Sequence, residues 1–413
     1  MAERRNDPLA AVRITEFRNL MLGRFFFIMA LRMMATLVGW WVYELTSDPL
    51  AVGLVGLSEV VPAILLALYA GHVIDLSEKR SLLLKGVLAY LTAAASLLVL
   101  SILFTKGNIG PTLVLTGIYS VFFATGIIRA FTGPSFHAIL PQIIPRDTLQ
   151  NAISWNQGTW LTASVTGHAL GGFLIAGTKN TGTLAGIVGF IIVGYVMLSR
   201  LYPKPPEPGA GEKRTWDSVK EGLRFVFSTK EVLAALSLDM FAVLFGGAVA
   251  MVPVFAKDIL KIGPIGFGWL NAATDIGAII TVALITLFPL RSNQGKILLF
   301  CVGGFGACII LFGLSKWFWL SFFALMLSGV MDGISVVVRG TILQLKTPNE
   351  MRGRVMSVNS MFINSSNELG LFESGVMARL MGVIPSVVFG GCMTIGVVIA
   401  TWFKAPELRK MKY

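Results

Sequence analysis

The sequence predicts an all-α membrane protein whose twelve transmembrane helices form two six-helix halves. Three observations predict this fold class: an apolar composition, twelve separate apolar runs, and an internal repeat. Of the 413 residues, 55% are hydrophobic and only 14% are charged, whereas soluble proteins are about 25% charged. With a mean hydropathy of +0.75, the chain cannot cover a fully soluble surface, so part of its solvent is lipid.

Each apolar run is long enough to cross a bilayer, because a helix needs about 20 residues to span about 30 Å of hydrocarbon. The runs are continuous and do not alternate in period two, which argues against the strands of a membrane barrel. The predicted spans are 20–45, 50–74, 82–104, 111–136, 149–177, 181–200, 231–256, 266–289, 294–314, 317–344, 353–381 and 383–403.

The distribution of basic residues predicts the orientation. With the N-terminus placed inside, 24 of the 34 Lys and Arg residues fall in cytoplasmic segments and 5 in outer loops, while 5 arginines lie inside spans. This asymmetry follows the positive-inside rule. We therefore expect a multi-pass protein of the bacterial inner membrane with both termini in the cytoplasm. The net charge of +12 does not indicate nucleic-acid binding, because the basic residues are not pooled in a soluble domain.

A polar segment between the sixth and seventh spans divides the chain. Its first half is rich in Pro and Gly, and its second half repeats apolar residues at helical spacing opposite Lys220 and Arg224, which predicts an amphipathic helix on the inner leaflet. Those apolar residues are Trp216, Val219, Leu223 and Phe227. The predicted divisions are an N-terminal tail (1–19), a first bundle (20–200), a linker (201–230), a second bundle (231–403) and a C-terminal tail (404–413).

The two halves repeat each other in sequence. An offset of 203 residues keeps one register through spans 4–5 and 10–11 without a gap, which indicates that a six-helix unit was duplicated. The matched pairs are Gly126 and Gly329, Leu140 and Leu343, Pro145 and Pro348, Ser154 and Ser357, Asn156 and Asn359, Gly167 and Gly370, and Gly172 and Gly375.

Several motifs resemble those of the major facilitator superfamily. Gly71–Arg80, GHVIDLSEKR, is similar to the family's GxxxD…[RK][RK] gating motif, and Arg129–Pro134, RAFTGP, is similar to the arginine-plus-glycine motif of span 4. Gly167–Gly172, GHALGG, resembles the exporter motif GPALGG with a histidine in place of the proline. RGRVMSV (352–358) and LGLFESG (369–375) resemble the subgroup that includes the enterobactin exporter and macrolide efflux proteins.

This resemblance implies two pseudo-symmetric six-helix bundles that transport a small-molecule substrate by alternating access. It implies a gating role for Gly71, Asp75, Lys79 and Arg80, although Leu76 and Glu78 depart from the motif's usual basic residue and glycine. In the family, spans 1, 4, 7 and 10 line the central cavity, and spans 2, 5, 8 and 11 form the seam between the halves.

Ten ionisable residues lie well inside the predicted spans. Each would cost about 2.5–3.5 kcal/mol at the bilayer centre, so they must face protein or water. Spans 3, 6, 9 and 12 carry none at their centres. We predict that nine of them belong to the substrate or ion pathway, and we assign no role to Arg379 near the outer end. The nine are Arg32, Glu59, Arg129, Asp239, Asp275, Asp332, Arg339, Glu368 and Glu373.

Two pairing hypotheses follow from the spacing of these charges. Asp332 and Arg339 are seven residues apart on one helix, hence on one face and about 10 Å apart along the axis, so they either bracket a ligand or pair with other spans. The repeat places Arg129 at the position equivalent to Asp332, which suggests an ion pair across the cavity. Glu368, Glu373 and His168 are the predicted protonation sites, because a desolvated carboxylate or a histidine can exchange a proton near neutral pH.

Nothing in the sequence points to an enzyme, a cofactor or a metal site. The GxxxxGK[ST] and HExxH patterns and Cys/His clusters do not occur, so the energy source is expected to be an ion gradient, with protons first and sodium as the alternative. We expect a monomer in the lipid bilayer that does not bind nucleic acid. The first hypothesis is proton-driven efflux of an amphipathic small molecule, either a drug-like compound or a siderophore.

Two alternatives stay open at this stage. Arg32 and Arg129 favour an importer or facilitator of a nutrient or an anionic metabolite. A lipid-handling or non-transporting membrane protein belongs to a different class and would need a cavity that opens sideways toward lipid, or a soluble receptor domain.

Overall fold

The computed structural model describes residues 7–204, 216–288, 293–348 and 351–411. The predicted tails and linker therefore lie partly outside the described residues, at 1–6, 205–215 and 412–413. The helices are α1 (Thr15–Thr46), α2 (Pro49–Leu76), α3 (Lys79–Thr105), α4 (Pro111–Ile139), α5 (Leu149–Ser199), α6 (Trp216–Ser228), α7 (Lys230–Phe245), α8 (Pro264–Leu287), α9 (Gln294–Leu314), α10 (Phe318–Lys346), α11 (Arg352–Met381), α12 (Val383–Lys404) and α13 (Pro406–Arg409).

The predicted all-α membrane fold is confirmed. Among the described residues, ten helical segments are long and apolar enough to cross a membrane. Two features separate ten from the predicted twelve. The segment 149–199 contributes one of the ten, although a kink at Lys179 divides it into two helices where two spans are predicted. The helix α11 is long enough to cross a membrane but is not among the ten apolar segments, because its 30 residues include several Asn, Ser, Arg and Glu.

Spans 5 and 6 are divided at Lys179, which lies between the predicted ends at 177 and 181. The chain continues as helix on both sides of Lys179, where the backbone adopts φ 55° and ψ −166°. A positive φ is uncommon for a residue with a Cβ, and at Lys179 it interrupts the helical backbone between the two helices. Thr183 strengthens the second segment by donating its hydroxyl to the Lys179 carbonyl oxygen at 2.7 Å.

Span 7 is not the continuous helix predicted for 231–256. The α-helix ends at Phe245, and the chain proceeds through the glycine pair at 246–247, a 3₁₀ turn (Ala248–Met251) and a short π-helical segment (Phe255–Ile259). Glycine weakens a helix, and Pro253 cannot donate the backbone hydrogen bond that an uninterrupted helix needs. Glycine at position 247 also lets α11 pack closely against this segment, since a Cβ there would lie 2.6 Å from the Gly370 carbonyl oxygen.

Packing divides the chain into two compact units. The first comprises Met1–Trp41 and Val61–Glu212, and the second comprises Val42–Val60 and Lys213–Tyr413. In the first unit α3 packs against α4 and α5. Its core includes Phe27, whose ring lies 5.3 Å from that of Tyr90 and 5.8 Å from that of Phe136.

In the second unit α10 packs against α8 and α9, and α9 packs against α12. The contact between α8 and α10 is close because glycines face backbone: a Cβ on Gly329 would collide with the Thr274 carbonyl oxygen, and one on Gly277 would collide with that of Met326. Helices that approach this closely through small residues pack well in a bilayer.

The linker helix α6 forms as predicted. Its Val226 is fully buried in an apolar cluster with Val232, Leu236 and Val355, and Leu223 of the predicted apolar face packs against the same cluster, so part of that face contacts protein. Phe227 on the predicted membrane face is 60% exposed, as a membrane-facing side chain would be. Contact of this face with the inner leaflet stays a prediction.

Candidate functional site in the helix bundles

Most of the predicted intramembrane charges turn away from the surface. Nine of the ten residues are buried or half-buried, and Arg379 is the exposed one, with 62% of its side chain accessible. This arrangement agrees with the requirement that ionised groups avoid hydrocarbon. Arg379 lies 3.7 Å from Asp48, so the exposed arginine has a carboxylate partner.

In the first unit, polar groups of α1 and α5 form a row along two helices that run in the same direction. Arg24 donates to the Asn156 side-chain oxygen, and the Arg32 guanidinium lies 5.1 Å from the centre of the Trp160 ring. The two helices approach closely because a Cβ at Gly167 would lie 2.5 Å from the Met29 carbonyl oxygen.

His168, which takes the place of the proline in the exporter motif, belongs to the same row. Its Nδ1 lies 2.7 Å from the Thr36 hydroxyl, and the side chain is buried. The structure thus gives His168 a side-chain hydrogen bond to α1. Arg129, the motif arginine of α4, is half-buried and interacts with its surroundings.

The second unit contains a buried ion pair between Arg339 of α10 and Asp239 of α7. Arg339 is 2% exposed and Asp239 is 6% exposed. Of the two arrangements considered for Arg339, pairing with another span is therefore the one observed. Asp332 lies two turns before Arg339 and lines a small cavity together with Asp239 and Ser335. Asp275, on α8, is half-buried and also interacts with its surroundings.

Carboxylates of α11 approach the N-terminal half of α2, which belongs to the same unit. The Glu368 carboxylate lies 3.5 Å from the position that a Cβ on Gly56 would take, and Glu59 is one turn further along α2. Glu373 is half-buried, and its Oε1 is buried without a hydrogen-bond partner among the described residues. The side chain of Asn364 lies outside the described side chains.

A second polar cluster, which sequence reasoning missed, surrounds an open cavity of about 580 Å³ at the predicted outer end of the second unit. Tyr43 donates a hydrogen bond to Asp258, and the Lys257 ammonium lies 5.4 Å from the centre of the Tyr43 ring. Asp258 was absent from the predicted site because it follows the predicted end of span 7 and reads as a loop residue. The π-helical segment that holds it has no signature in hydropathy.

The predicted gating segment joins α2 to α3 within the first unit. Lys79 is buried and donates to the Ile74 carbonyl oxygen, and Arg80 donates to the Ser199 carbonyl oxygen at 2.7 Å. Glu78, which departs from the family motif, caps α3 by accepting from the backbone N–H groups of Arg80 and Ser81. A Cβ at Gly71 would meet nothing within 4 Å, and the Asp75 side chain lies outside the described side chains.

Solved structures with a similar fold are transporters. A mutant form of the nucleoside transporter NupG gives a TM-score of 0.75 at 12% identity, with 94% of this chain and 99% of that chain covered. The POT family transporter PepTSo gives 0.74 at 12% identity, covering 96% and 98%. The xylose transporter XylE from E. coli gives 0.67 at 13% identity, covering 97% of each chain.

The long apolar helices give this chain the fold of these structures, and its match to a family model defines it as a membrane transporter of the major facilitator class. The chain belongs to the family described as "Transmembrane secretion effector", whose model matches residues 6–412. Its curated relatives include the enterobactin exporter EntS of Shigella boydii serotype 18, which is 25% identical over 401 residues, or 96% of this chain and 93% of that protein. EntS of Escherichia coli O81 gives the same values.

Proposed function

We propose that this transporter exports an amphipathic small molecule from the bacterial cytoplasm in exchange for protons. The observation that carries the proposal is the similarity to enterobactin exporters over 96% of the chain. It runs through both halves and therefore includes the helices that line the central pathway in the family. Alternating access is general for this fold and supplies the transport cycle.

The substrate class follows from what those relatives are named for. Enterobactin is a siderophore, and we extend this to amphipathic compounds, either siderophores or drug-like molecules. The cationic side chains available to such a ligand are Arg32 on α1 and Arg129 on α4, both half-buried. A pathway with arginines beside aromatic rings, as at Trp160, suits a ligand that carries both oxygen acceptors and aromatic surface.

Proton coupling is proposed because carboxylates lie within the helices. Glu373 has the strongest structural support, since its Oε1 is buried without a partner among the described residues and a proton on that oxygen would neutralise the desolvated charge. Glu368 and His168 are the other proposed protonation sites. A proton that binds two conformations with different affinities shifts their populations, which is how a gradient drives the cycle.

The orientation is part of the proposal. The excess of Lys and Arg in alternate connecting segments favours cytoplasmic termini in the inner membrane. The segment with Gly71, Asp75, Lys79 and Arg80 would then lie on the cytoplasmic side, where it is proposed to stabilise one state of the gate.

Everted membrane vesicles test direction and coupling together. Vesicles from expressing cells, acidified inside by respiration, are expected to accumulate radiolabelled enterobactin and the dye Hoechst 33342 above the level of vesicles without the protein. Nigericin, which dissipates the pH gradient, should remove the accumulation. Glu373→Gln should abolish gradient-driven accumulation but keep exchange of the probe, whereas Glu44→Gln, at an exposed carboxylate of α1, should behave as wild type.

Each outcome bears on a separate part of the proposal. Accumulation that persists after nigericin contradicts proton coupling while efflux stands. Uptake into right-side-out vesicles without accumulation in everted ones contradicts the direction and favours the importer hypothesis. Failure of both probes to exceed the vesicle background contradicts the substrate class.

A further inference from the structure

A small cavity in the second unit lies between α7, α9 and α10. Its volume is about 10 Å³, which is enough for about one water-sized sphere. Asp239 of α7 and Asp332 and Ser335 of α10 supply the polar part of its wall, and Val302 and Phe305 of α9 supply part of the apolar wall. Only oxygen atoms are therefore available from side chains to an occupant of this cavity.

The Ser335 hydroxyl is the observation that points to a ligand. Ser335 is 2% exposed, and its Oγ is buried without a hydrogen-bond partner among the described residues. A buried hydroxyl without a partner is costly. In contrast, Ser328 on the same helix is equally buried but donates to the Leu325 carbonyl oxygen at 2.7 Å. The helix thus satisfies one serine by itself and turns the other toward the cavity.

The charge balance at the cavity defines the charge of the occupant. Asp239 and Asp332 carry two negative charges, and Arg339, paired with Asp239, supplies one positive charge. No ion pair of Asp332 is found in the described part of the chain, and α9 contributes no charged side chain to the wall. The site is therefore short of one positive charge, which a monovalent cation supplies and a divalent cation would exceed.

We propose that Asp239, Asp332 and Ser335 bind one sodium ion inside the second unit. Carboxylate and hydroxyl oxygens are the ligands that hard cations prefer. Asp332 and Ser335 are three residues apart, so they project from the same face of α10, and Asp239 of α7 lines the same cavity. A hydroxyl in addition to the two carboxylates favours a metal ion over a proton, because a proton needs no third oxygen.

A sodium site is a separate proposal from proton-coupled efflux. Sodium binding can be tested on purified protein without a transport assay. Thermal unfolding of the full-length protein in detergent is followed by tryptophan fluorescence while sodium replaces N-methylglucamine at constant ionic strength. The midpoint is expected to rise by about 3 °C at saturating sodium, because a ligand that binds only the folded state stabilises it. Potassium, which has a lower charge density than sodium and gains less from carboxylate oxygens, should give a smaller rise.

Variants assign the effect to the site. Asp332→Asn should remove the sodium-dependent rise, and Ser335→Ala should shift the sodium dependence to roughly tenfold higher concentration, as expected for the loss of about 1.4 kcal/mol of binding. Ser328→Ala is the matched control and should keep the wild-type sodium dependence. If Asp332→Asn does not fold, the comparison of Ser335→Ala with Ser328→Ala still decides the question.

Three results would overturn the site: equal midpoints in sodium, potassium and N-methylglucamine; a midpoint that responds to pH but not to sodium; or a sodium response that is unchanged in both Asp332→Asn and Ser335→Ala. A sodium response together with failed vesicle transport would count against the proposed function alone. Working efflux without a sodium response would count against this site alone.

Discussion

Replacing Arg339 with methionine is expected to destabilise the protein by about 3–5 kcal/mol, because the change leaves Asp239 buried without its counter-charge. Both side chains are almost fully buried and form an ion pair between α7 and α10. Solvent cannot take over the role of the lost guanidinium at this depth. The yield of monodisperse protein in detergent and its midpoint of thermal unfolding measure the loss.

The matched control is Arg354→Met. Arg354 of α11 also pairs with a glutamate, Glu221, but both side chains are partly exposed, so the expected loss is below about 1 kcal/mol. The double variant Asp239→Asn with Arg339→Met should recover most of the stability, because it removes both charges of the pair and leaves neither partner as an unpaired ion. Wild-type stability of Arg339→Met, or a double variant no better than the single one, would contradict the structural role of the pair.

Gly329→Leu is expected to prevent folding or to cost at least about 3 kcal/mol, at the upper end of overpacking effects. A Cβ at this position would collide with the Thr274 carbonyl oxygen of α8, so the obstacle is backbone and cannot turn aside. The facing glycine, Gly277, is blocked in the same way by the Met326 carbonyl oxygen. Size-exclusion profiles of the detergent-solubilised protein measure the result.

Gly340→Leu provides the control on the same helix, since a Cβ at Gly340 would meet nothing within 4 Å. Its stability should stay close to that of the wild type, or increase slightly, because leucine is a better helix former than glycine. Equal behaviour of the two leucine variants would show that the α8–α10 contact is looser than the structure indicates.

Hydropathy predicted the helices well because lipid imposes one requirement on every span: about 20 apolar residues with internally satisfied backbone. Most predicted ends agree with the observed helices to within five residues, including 294–314 for α9 and 383–403 for α12. The wrong prediction is the continuous helix over 231–256, and it concerns a backbone event inside apolar sequence. The interruption after Phe245 does not change the average hydropathy of its surroundings.

The repeat predicted equivalent positions but not equivalent contacts. Asn156 and Asn359 occupy matched positions, yet Asn156 accepts a hydrogen bond from Arg24 while the Asn359 Oδ1 is buried without a partner among the described residues.

The sequence did not predict Arg24 as a site residue, because it lies close to the predicted inner end of span 1, where an arginine is expected at the membrane interface. Its position one turn inside the predicted span was the feature that could have marked it as a site residue.

The sequence by itself determined the class of the protein: a multi-pass helical transporter of the major facilitator fold, with motifs in the expected spans and charges confined to spans that can shield them. Tertiary structure decided which charges meet. The pairing of Arg339 with Asp239, and the placement of Asp239 beside Asp332 and Ser335 in one cavity, depend on the rotation and separation of α7 and α10. Hydropathy reports only how deeply a residue lies in the membrane, and depth is the same for every face of a helix.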